Sequence, residues 1–504
     1  MLSAFANTLK VPELRARIFF TLAVIIVVRL GSQITSPGVN AAVLHEWFHN
    51  QVDNQQSGSV VALFNIFSGG ALENCAIFSL GIMPYISASI MLQLLGAVIP
   101  SLAKLQKEDG GRQKISQYTR YATVVLCVFQ GYLLAKSFEN PAGSLNFLPG
   151  ITATEQKLGL SLVDEGVRGL GFQIITVISM TAGTMLLMWL GDQITERGIG
   201  NGISLIITIG IVARLPAALI QAWRTFIPTA GGPAKANPLI LVAMVAFFVI
   251  VIASIIAITQ AQRKISVTYA RRVVGRKEYR GSTQTLPLKL NYAGVMPIIF
   301  GQSLLIFPST IINMLFPNSP SARVLSANLA NGWMHYTLYA LMIFFFSYFW
   351  VAMMFQPNQI ADDLKKNGGY IPGVRPGKPT AEFLDYTMSR LTFAGALFLI
   401  TIAILPQMLS RAMNVPYITA QFFGGTSLLI IVGVILDTMR QIETHLLQQH
   451  YDGFLRKGKI KGGSGFGATR NINQGEPVRQ TTMVMLCVGA ALLLIGGLAI
   501  VLNK

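Results

Sequence analysis

The stretch GIMPYISAS, Gly81 to Ser89, returns as GVMPIIFGQ, Gly294 to Gln302, at an offset of 213 residues. Each copy puts Gly-x-Met-Pro near the start of a long apolar run, 76–99 and 292–316. A single proline in such a run reads as a kink, because it removes a backbone donor and crowds the preceding turn. Two interruptions at matching positions read instead as an internal repeat that marks a central site.

Working outward, predominantly apolar runs lie near 17–34, 76–99, 119–138, 171–190, 202–221, 238–261, 292–316, 335–355, 391–410 and 421–436, with an eleventh at 483–502. About 20 apolar residues cross the roughly 30 Å of hydrocarbon in a bilayer. The runs are too long and uniform for the alternating strands of a barrel. The sequence is 52% hydrophobic and 12% charged, with mean hydropathy +0.54; soluble domains carry about 25% charge. These features predict an all-α membrane protein of ten transmembrane helices and an extra C-terminal helix. Each repeat copy falls in the second run of a set of five. An odd number of crossings per half inverts the second half relative to the first. The expected units are 1–237 (helices one to five), 238–440 (helices six to ten), and 441–504, a basic Gly-rich tail plus the eleventh run.

The net charge of +18 could suggest a nucleic-acid partner, so its placement matters. With the N-terminus in the cytosol, 29 of the 39 Lys and Arg fall on cytosolic segments and six on opposite loops. Lys and Arg near span ends resist translocation, so this asymmetry predicts an N-inside orientation. Two loops exceed that need: 262–289, QRKISVTYARRVVGRKEYRGSTQTLPLK, and 356–389, with DDLKKNGGYIPGVRPGKP. They suit a negatively charged partner such as ribosomal RNA or an acidic surface. The segment 60–75, VVALFNIFSGGALENC, is apolar yet too short to span and is broken by Gly69-Gly70. It reads as a short mobile helix dipping into the centre.

Three motifs imitate chemistry. HEWFH, His45 to His49, fits the H-E-x-x-H zinc pattern, but no motif places a third ligand; only Glu73 and His335 are available, and a surface helix is the reading. GIGNG, Gly198 to Gly202, has no strand before it and reads as a tight turn. GGSG at 462–465 lies in the tail without a partner histidine. Neither a metal nor another cofactor is expected, and no catalytic residue. The span interiors hold no Asp or Glu, which argues against coupled ion transport; Arg29, Lys136 and Arg214 sit near span ends and can snorkel. A passive or coupled small-solute carrier remains the alternative, though a carrier has no need of two large docking loops.

Five stretches become specific: FSGGALENCAIFSLGIMPYISASIMLQLL, DQITERGIGNGISLII, LPLKLNYAGVMPIIFGQSLLIFPS, ADDLKKNGGYIPGVRPGKPTAEFLDYTMSRLTFAGALFL and FFGGTSLLIIVGVILD. In this order, from about residue 10 to about 462, the sequence resembles the SecY family, the pore subunits of bacterial-type protein translocases. The resemblance implies a clamshell of two five-helix halves in the bacterial inner membrane. It implies a mid-membrane pore ring of Ile82, Ile86, Ile203, Ile207, Ile299 and Ile430. The pairs 82/86 and 203/207 are spaced to face one way on a helix. It also implies a plug at 60–75 with Phe64, Ile66, Phe67, Ser68, Gly69, Gly70 and Leu72. A lateral gate follows, with Ser87, Ser89, Gln93, Gln130, Gln302 and Ser303. Arg375, with Arg271, Arg272, Arg276 and Lys277, is implied to dock SecA or the ribosome. SecE and SecG subunits, signal-bearing preproteins and membrane lipid are the remaining implied partners, and ATP or GTP hydrolysis would be theirs. The C-terminal TTMVMLCVGAALLLIGGLAIVLNK departs from the family pattern.

Overall fold

A computed structural model describes residues 12–457 apart from 54–64, 66–67, 109, 141–147, 149–150, 165, 167, 217, 221–237, 270–271, 275–276, 280–282, 302–303, 306–311, 313–315, 317–318, 332 and 413–425. In the N-terminal part the described helices are α1 (Pro12–Gly31), α2 (Ala41–Asp53), α3 (Met83–Val98), α4 (Pro100–Lys107), α5 (Gly111–Glu139), α6 (Ile151–Leu158), α7 (Leu170–Arg197) and α8 (Gly202–Val212). After α9 (Pro238–Gln260) come β1 (Gln262–Tyr269), β2 (Arg272–Val274), β3 (Lys277–Tyr279) and β4 (Thr283–Lys289). The chain continues through α10 (Pro320–Asn331), α11 (Trp333–Met354), α12 (Pro357–Lys366), β5 (Gly369–Tyr370), α13 (Lys378–Ala412) and α14 (Thr426–Lys457). The eleventh run and the Gly-rich tail lie outside the described residues. Helix α14 runs without a break past the expected boundary at 440/441.

Among the described residues, four helical stretches are long and apolar enough to cross a bilayer: Gln113–Glu139, Leu170–Arg197, Trp333–Lys366 and Lys378–Leu405. Met83–Gly96, Gly202–Val212 and Val245–Gln260 are apolar but shorter. Their outward faces carry exposed Phe129, Ile174, Ile178, Leu341, Phe345 and Leu397. Apolar surface this extensive is stable only against lipid or another apolar partner.

The run 76–99 is not one helix. Residues 76–82 form a bridge and turns, and α3 starts at Met83 with Ile82 as its N-cap and Pro84 in the first turn. There proline's missing N–H is no loss and its fixed φ suits the helix. Gly81 turns the chain with φ +57. The second copy repeats this closely: Gly294 has φ +65 and helix begins at residue 296, so the geometry recurs at the sequence offset. Left-handed backbone of this kind is open to glycine at little cost.

The expectation of a purely helical chain needs correction at 262–289. This stretch is a β-ribbon: β1 pairs antiparallel with β4, from Gln262 opposite Lys289 to Thr268 opposite Thr283. Ile265 and Val267 are buried on one face between exposed Lys264 and Ser266. Such alternation is the period-two pattern of a half-buried strand. β5 adds to β1 through Thr268–Tyr370 and Tyr269–Gly369, giving the order β4-β1-β5, while β2 and β3 form a separate two-stranded pair.

In the N-terminal part, α3 packs on α5, α5 on α7, and α7 on α8 and α1. In the C-terminal part, α11 packs on α13, and α9 and α13 pack on α14. α8 and α14 lie against each other and join the two parts. The helix carrying HEWFH, α2, buries Val43, Leu44, Trp47 and Phe48 and packs on α6. GIGNG is the α7–α8 turn, and Asn201 caps α8 by accepting from the Ser204 N–H at 3.2 Å.

Candidate functional site

The six isoleucines, scattered over 348 positions of sequence, converge. Ile207, Ile299 and Ile430 are buried in one apolar cluster with Ile90, Ile211, Phe300 and Val434. Ile82 is buried in an adjoining cluster with Val28, Phe78, Leu187 and Ile206. Ile86 and Ile203 pack against both, joining them into one centre. Ile430 is 1% exposed, Ile82 5%, Ile299 6% and Ile207 7%, so none of these four faces outward. The side chains arrive from α3, α8, the helical stretch 296–301 and α14, two elements from each part of the chain.

Their order follows the repeat. Ile86 and Ile299 stand at the same 213-residue offset as the two Gly-x-Met-Pro motifs. A second match was missed in the sequence: GISLII, Gly202 to Ile207, aligns with GTSLLI, Gly425 to Ile430, and equates Ile207 with Ile430. The offset differs from the first, which hides the match from a search at one spacing. Val295, the repeat mate of Ile82, was missed too; it packs against the same centre.

Beside this centre lie Ser68 to Cys75 of the 60–75 segment. Phe64, Ile66 and Phe67 fall outside the described residues. Ser68 to Cys75 forms consecutive turns rather than the helix expected there. Gly69 has φ +66 and lies so close to α8 that a Cβ would sit 2.7 Å from the Gly210 Cα. The Ser68 hydroxyl accepts from the Leu72 N–H at 3.3 Å. Leu72 is buried with Trp47 and Leu80. A cavity of about 30 Å³ is bordered by Ser68, Gly81, Ile82, Ile207 and Gly210, with Arg29 and Ser32 on its polar side. That is enough room for a water.

Arg29 and Arg214 do not reach away toward the bilayer surface as expected. Arg29 Nη1 donates to the Gly69 carbonyl oxygen at 2.9 Å, and Arg214 is ion-paired with Glu73. A nearby carboxylate and a backbone carbonyl hold a guanidinium more firmly than interfacial water does. His45 Nε2 lies 3.4 Å from Glu73 Oε1, so the first histidine of HEWFH does meet one of the two available third ligands. Glu73 pairs there with Arg214 as well.

Of the polar residues on α3 and α5, the Ser89 hydroxyl accepts from Gln93 Nε2 at 3.3 Å. Gln93 Oε1 and Gln130 Oε1 are buried without a hydrogen-bond partner among the described residues. Ser87 is half-buried. Gln302 and Ser303 fall outside the described residues. An orphaned buried carbonyl oxygen costs about 1–3 kcal/mol, so Gln93 and Gln130 are each held at such a cost.

The second cluster of interest is polar and basic. Arg375 is exposed in the turn between β5 and α13. Its carbonyl oxygen accepts from the Thr380 hydroxyl at 2.8 Å, and Gly373 and Gly377 have positive φ. Ile371 is buried with Ile265, Val267 and Leu288, and Val374 packs against them. The two loops read separately from the sequence are thus one platform, tied by the β1–β5 pairing. Arg272 and Lys277 lie in β2 and β3; Arg271 and Arg276 lie outside the described residues.

An apolar centre shared by helices from both parts of the chain, beside the turns of Ser68 to Cys75, is the arrangement of a membrane protein of the channel class. Residues 76–439 match the SecY family model, and the chain belongs to the SecY family. It is 44% identical to the protein translocase subunit SecY of Vibrio cholerae over 457 residues, which is 89% of this chain and 96% of that protein. The Escherichia coli K12 subunit is 44% identical over 454 residues (89% and 96%), and the Thermotoga maritima subunit 40% over 465 (92% and 100%). Among solved structures, a protein-conducting channel superposes with TM-score 0.54 at 16% identity, covering 88% of this chain and 95% of that one. Sec61 in the canine ribosome–channel complex gives 0.53 at 15%, with the same coverage. The fold of those channels is the fold of this chain.

Proposed function

We propose that this chain is the protein-conducting channel of a Sec-type translocase, moving unfolded polypeptides across the membrane and releasing apolar segments sideways into lipid. The observation that carries the reading is the buried isoleucine centre drawn from both parts of the chain. A constriction of aliphatic side chains dewets and holds back ions, yet it spreads around a threaded chain without demanding any sequence. In this reading ten helices form two inverted halves, 1–237 and 238–440, that open as a clamshell. Ile82, Ile86, Ile203, Ile207, Ile299 and Ile430 form the ring, and 60–75 is the plug below it. Signal segments leave past Ser87, Ser89, Gln93, Gln130, Gln302 and Ser303. The N-terminus is cytosolic and the host bilayer is the bacterial inner membrane.

Arg375, Arg271, Arg272, Arg276 and Lys277 take the motor or the ribosome, and the exposure of Arg375 in its turn supports this. Relatives named for their ribosome complexes support a ribosome partner; SecA, SecE and SecG follow from the family reading. The chain is a channel subunit rather than an enzyme, and partners supply the nucleotide hydrolysis.

The test is site-specific crosslinking from Ile82 and Ile430 to a stalled secretory chain in membranes. Both positions should react with one translocating chain. Reaction of neither, with lipid adducts instead, would refute the central path.

A further inference from the structure

Three charged or polar side chains, Arg29, Arg214 and His45, converge on the segment read above as the plug, where Asn65 of the segment itself joins them, and none was assigned a role there. Arg29, in the last turn of α1, donates to the Gly69 carbonyl. Arg214, just beyond α8, pairs with Glu73. Asn65 Nδ2 donates to Glu73 Oε2 at 3.1 Å, and its Oδ1 accepts from the Glu73 N–H at 3.1 Å. His45 of α2 stands 3.4 Å from the other carboxylate oxygen. The glycine pair makes the approach possible: a Cβ on Gly70, whose φ is +89, would sit 2.6 Å from Arg214 Nη2.

The charges do not balance. Two guanidinium groups face adjacent glycines of the segment, Arg29 beside Gly69 and Arg214 beside Gly70, so their like charges repel, and Glu73 is the one carboxylate that contacts Arg214 among the described residues. The Glu73 and Arg214 side chains are 14% and 22% exposed, so water screens them little. A partly buried ion pair holds geometry firmly while intact, and losing one partner strands the other charge.

We propose that Glu73 is a latch residue that sets the threshold for opening: it neutralises the Arg29/Arg214 pair and so keeps the plug seated. This rests on the channel reading. Opening requires that Glu73 leave Arg214, so an incoming apolar segment must supply enough insertion energy to offset the latch. Glu73 and Arg214 are thereby specificity-determining residues, acting on how apolar a signal must be.

The test uses the full translocase reconstituted in bilayers, with ion conductance and export of two reporters, one with an intact and one with a less apolar signal. Glu73→Gln should raise resting conductance about tenfold, equivalent to about 1.4 kcal/mol. It should also raise export of the weak-signal reporter relative to the intact one. Arg214→Gln should do less, because it removes one of the two repelling guanidinium groups together with the ion pair. The double variant should fall back toward the wild type, since the uncompensated repulsion is gone. Gly70→Ala, which displaces Arg214 without touching any charge, should also leak. A variant that merely misfolds would lower export of both reporters, an outcome counted against the latch if Gly70→Ala is also silent. Ile430→Asn serves as the channel control. Leak from Ile430→Asn with none from Glu73→Gln or Gly70→Ala overturns the latch and spares the channel reading. Silence from all three overturns both.

Discussion

At the scale of single residues, the chemistry of this protein lies in side chains without reactivity. Ile430 is the most deeply buried of the ring isoleucines. Replacing it with Asn places an amide among Ile207, Ile299 and Phe300, at about 1–3 kcal/mol for the unmet hydrogen bonds. The expected outcome is a wetted centre with higher ion leak in planar bilayers; unchanged conductance would count against the ring. Arg375 sits at the opposite extreme, exposed and held by its backbone rather than its side chain. Arg375→Glu should abolish translocation into vesicles while the protein still accumulates in the membrane, because only a contact with an external partner is reversed in sign. Normal export by that variant would remove the docking role.

Elements show why those residues act together. The ribbon β1–β4 is pinned to the membrane helices by Ile265, Val267 and Leu288, which pack with Val351 of α11 and with Leu384 and Met388 of α13. Leu288→Ala removes a side chain that is 3% exposed, a change that costs about 2–5 kcal/mol in a packed site. Limited proteolysis should then cut the ribbon faster and partner binding should weaken, while the resting conductance stays at the wild-type value. Helix α8 is anchored differently, by its Asn201 cap. Asn201→Ala should lower thermal stability by about 1 kcal/mol and loosen the turn before Ile203, seen as a modest rise in leak.

For the whole molecule, the internal repeat carries the design. Ile86 with Ile299, and Ile207 with Ile430, are mates at their respective offsets, and all four meet at one centre. In the proposed reading, two halves related by a two-fold axis in the membrane plane lie side by side in opposite orientations and meet at that centre. Ile86→Ala and Ile299→Ala should therefore open the seal to a comparable degree when conductance is compared. A large leak from one and none from the other would show that only one half forms the constriction.

The helical class and the two Gly-x-Met-Pro breaks were legible because each rests on local pattern: run length against bilayer thickness, and proline against helix geometry; the isoleucines were named through the family resemblance. The ribbon at 262–289 was legible in principle, since Ile265 and Val267 alternate with polar neighbours, but its dense basic charge drew the reading toward an unstructured docking loop. What pairs with what was not local. That β5 joins β1 depends on backbone hydrogen bonds between segments 100 residues apart in sequence. Arginines at span ends snorkel by default, and only packing shows that Arg29 and Arg214 have a closer carbonyl and carboxylate to turn toward. Sequence alone determined which segments prefer lipid and where their helices break, because hydrophobicity and proline act residue by residue. The tertiary structure decided which charges meet at Glu73, because an ion pair forms only where the fold brings its partners within reach and keeps water out.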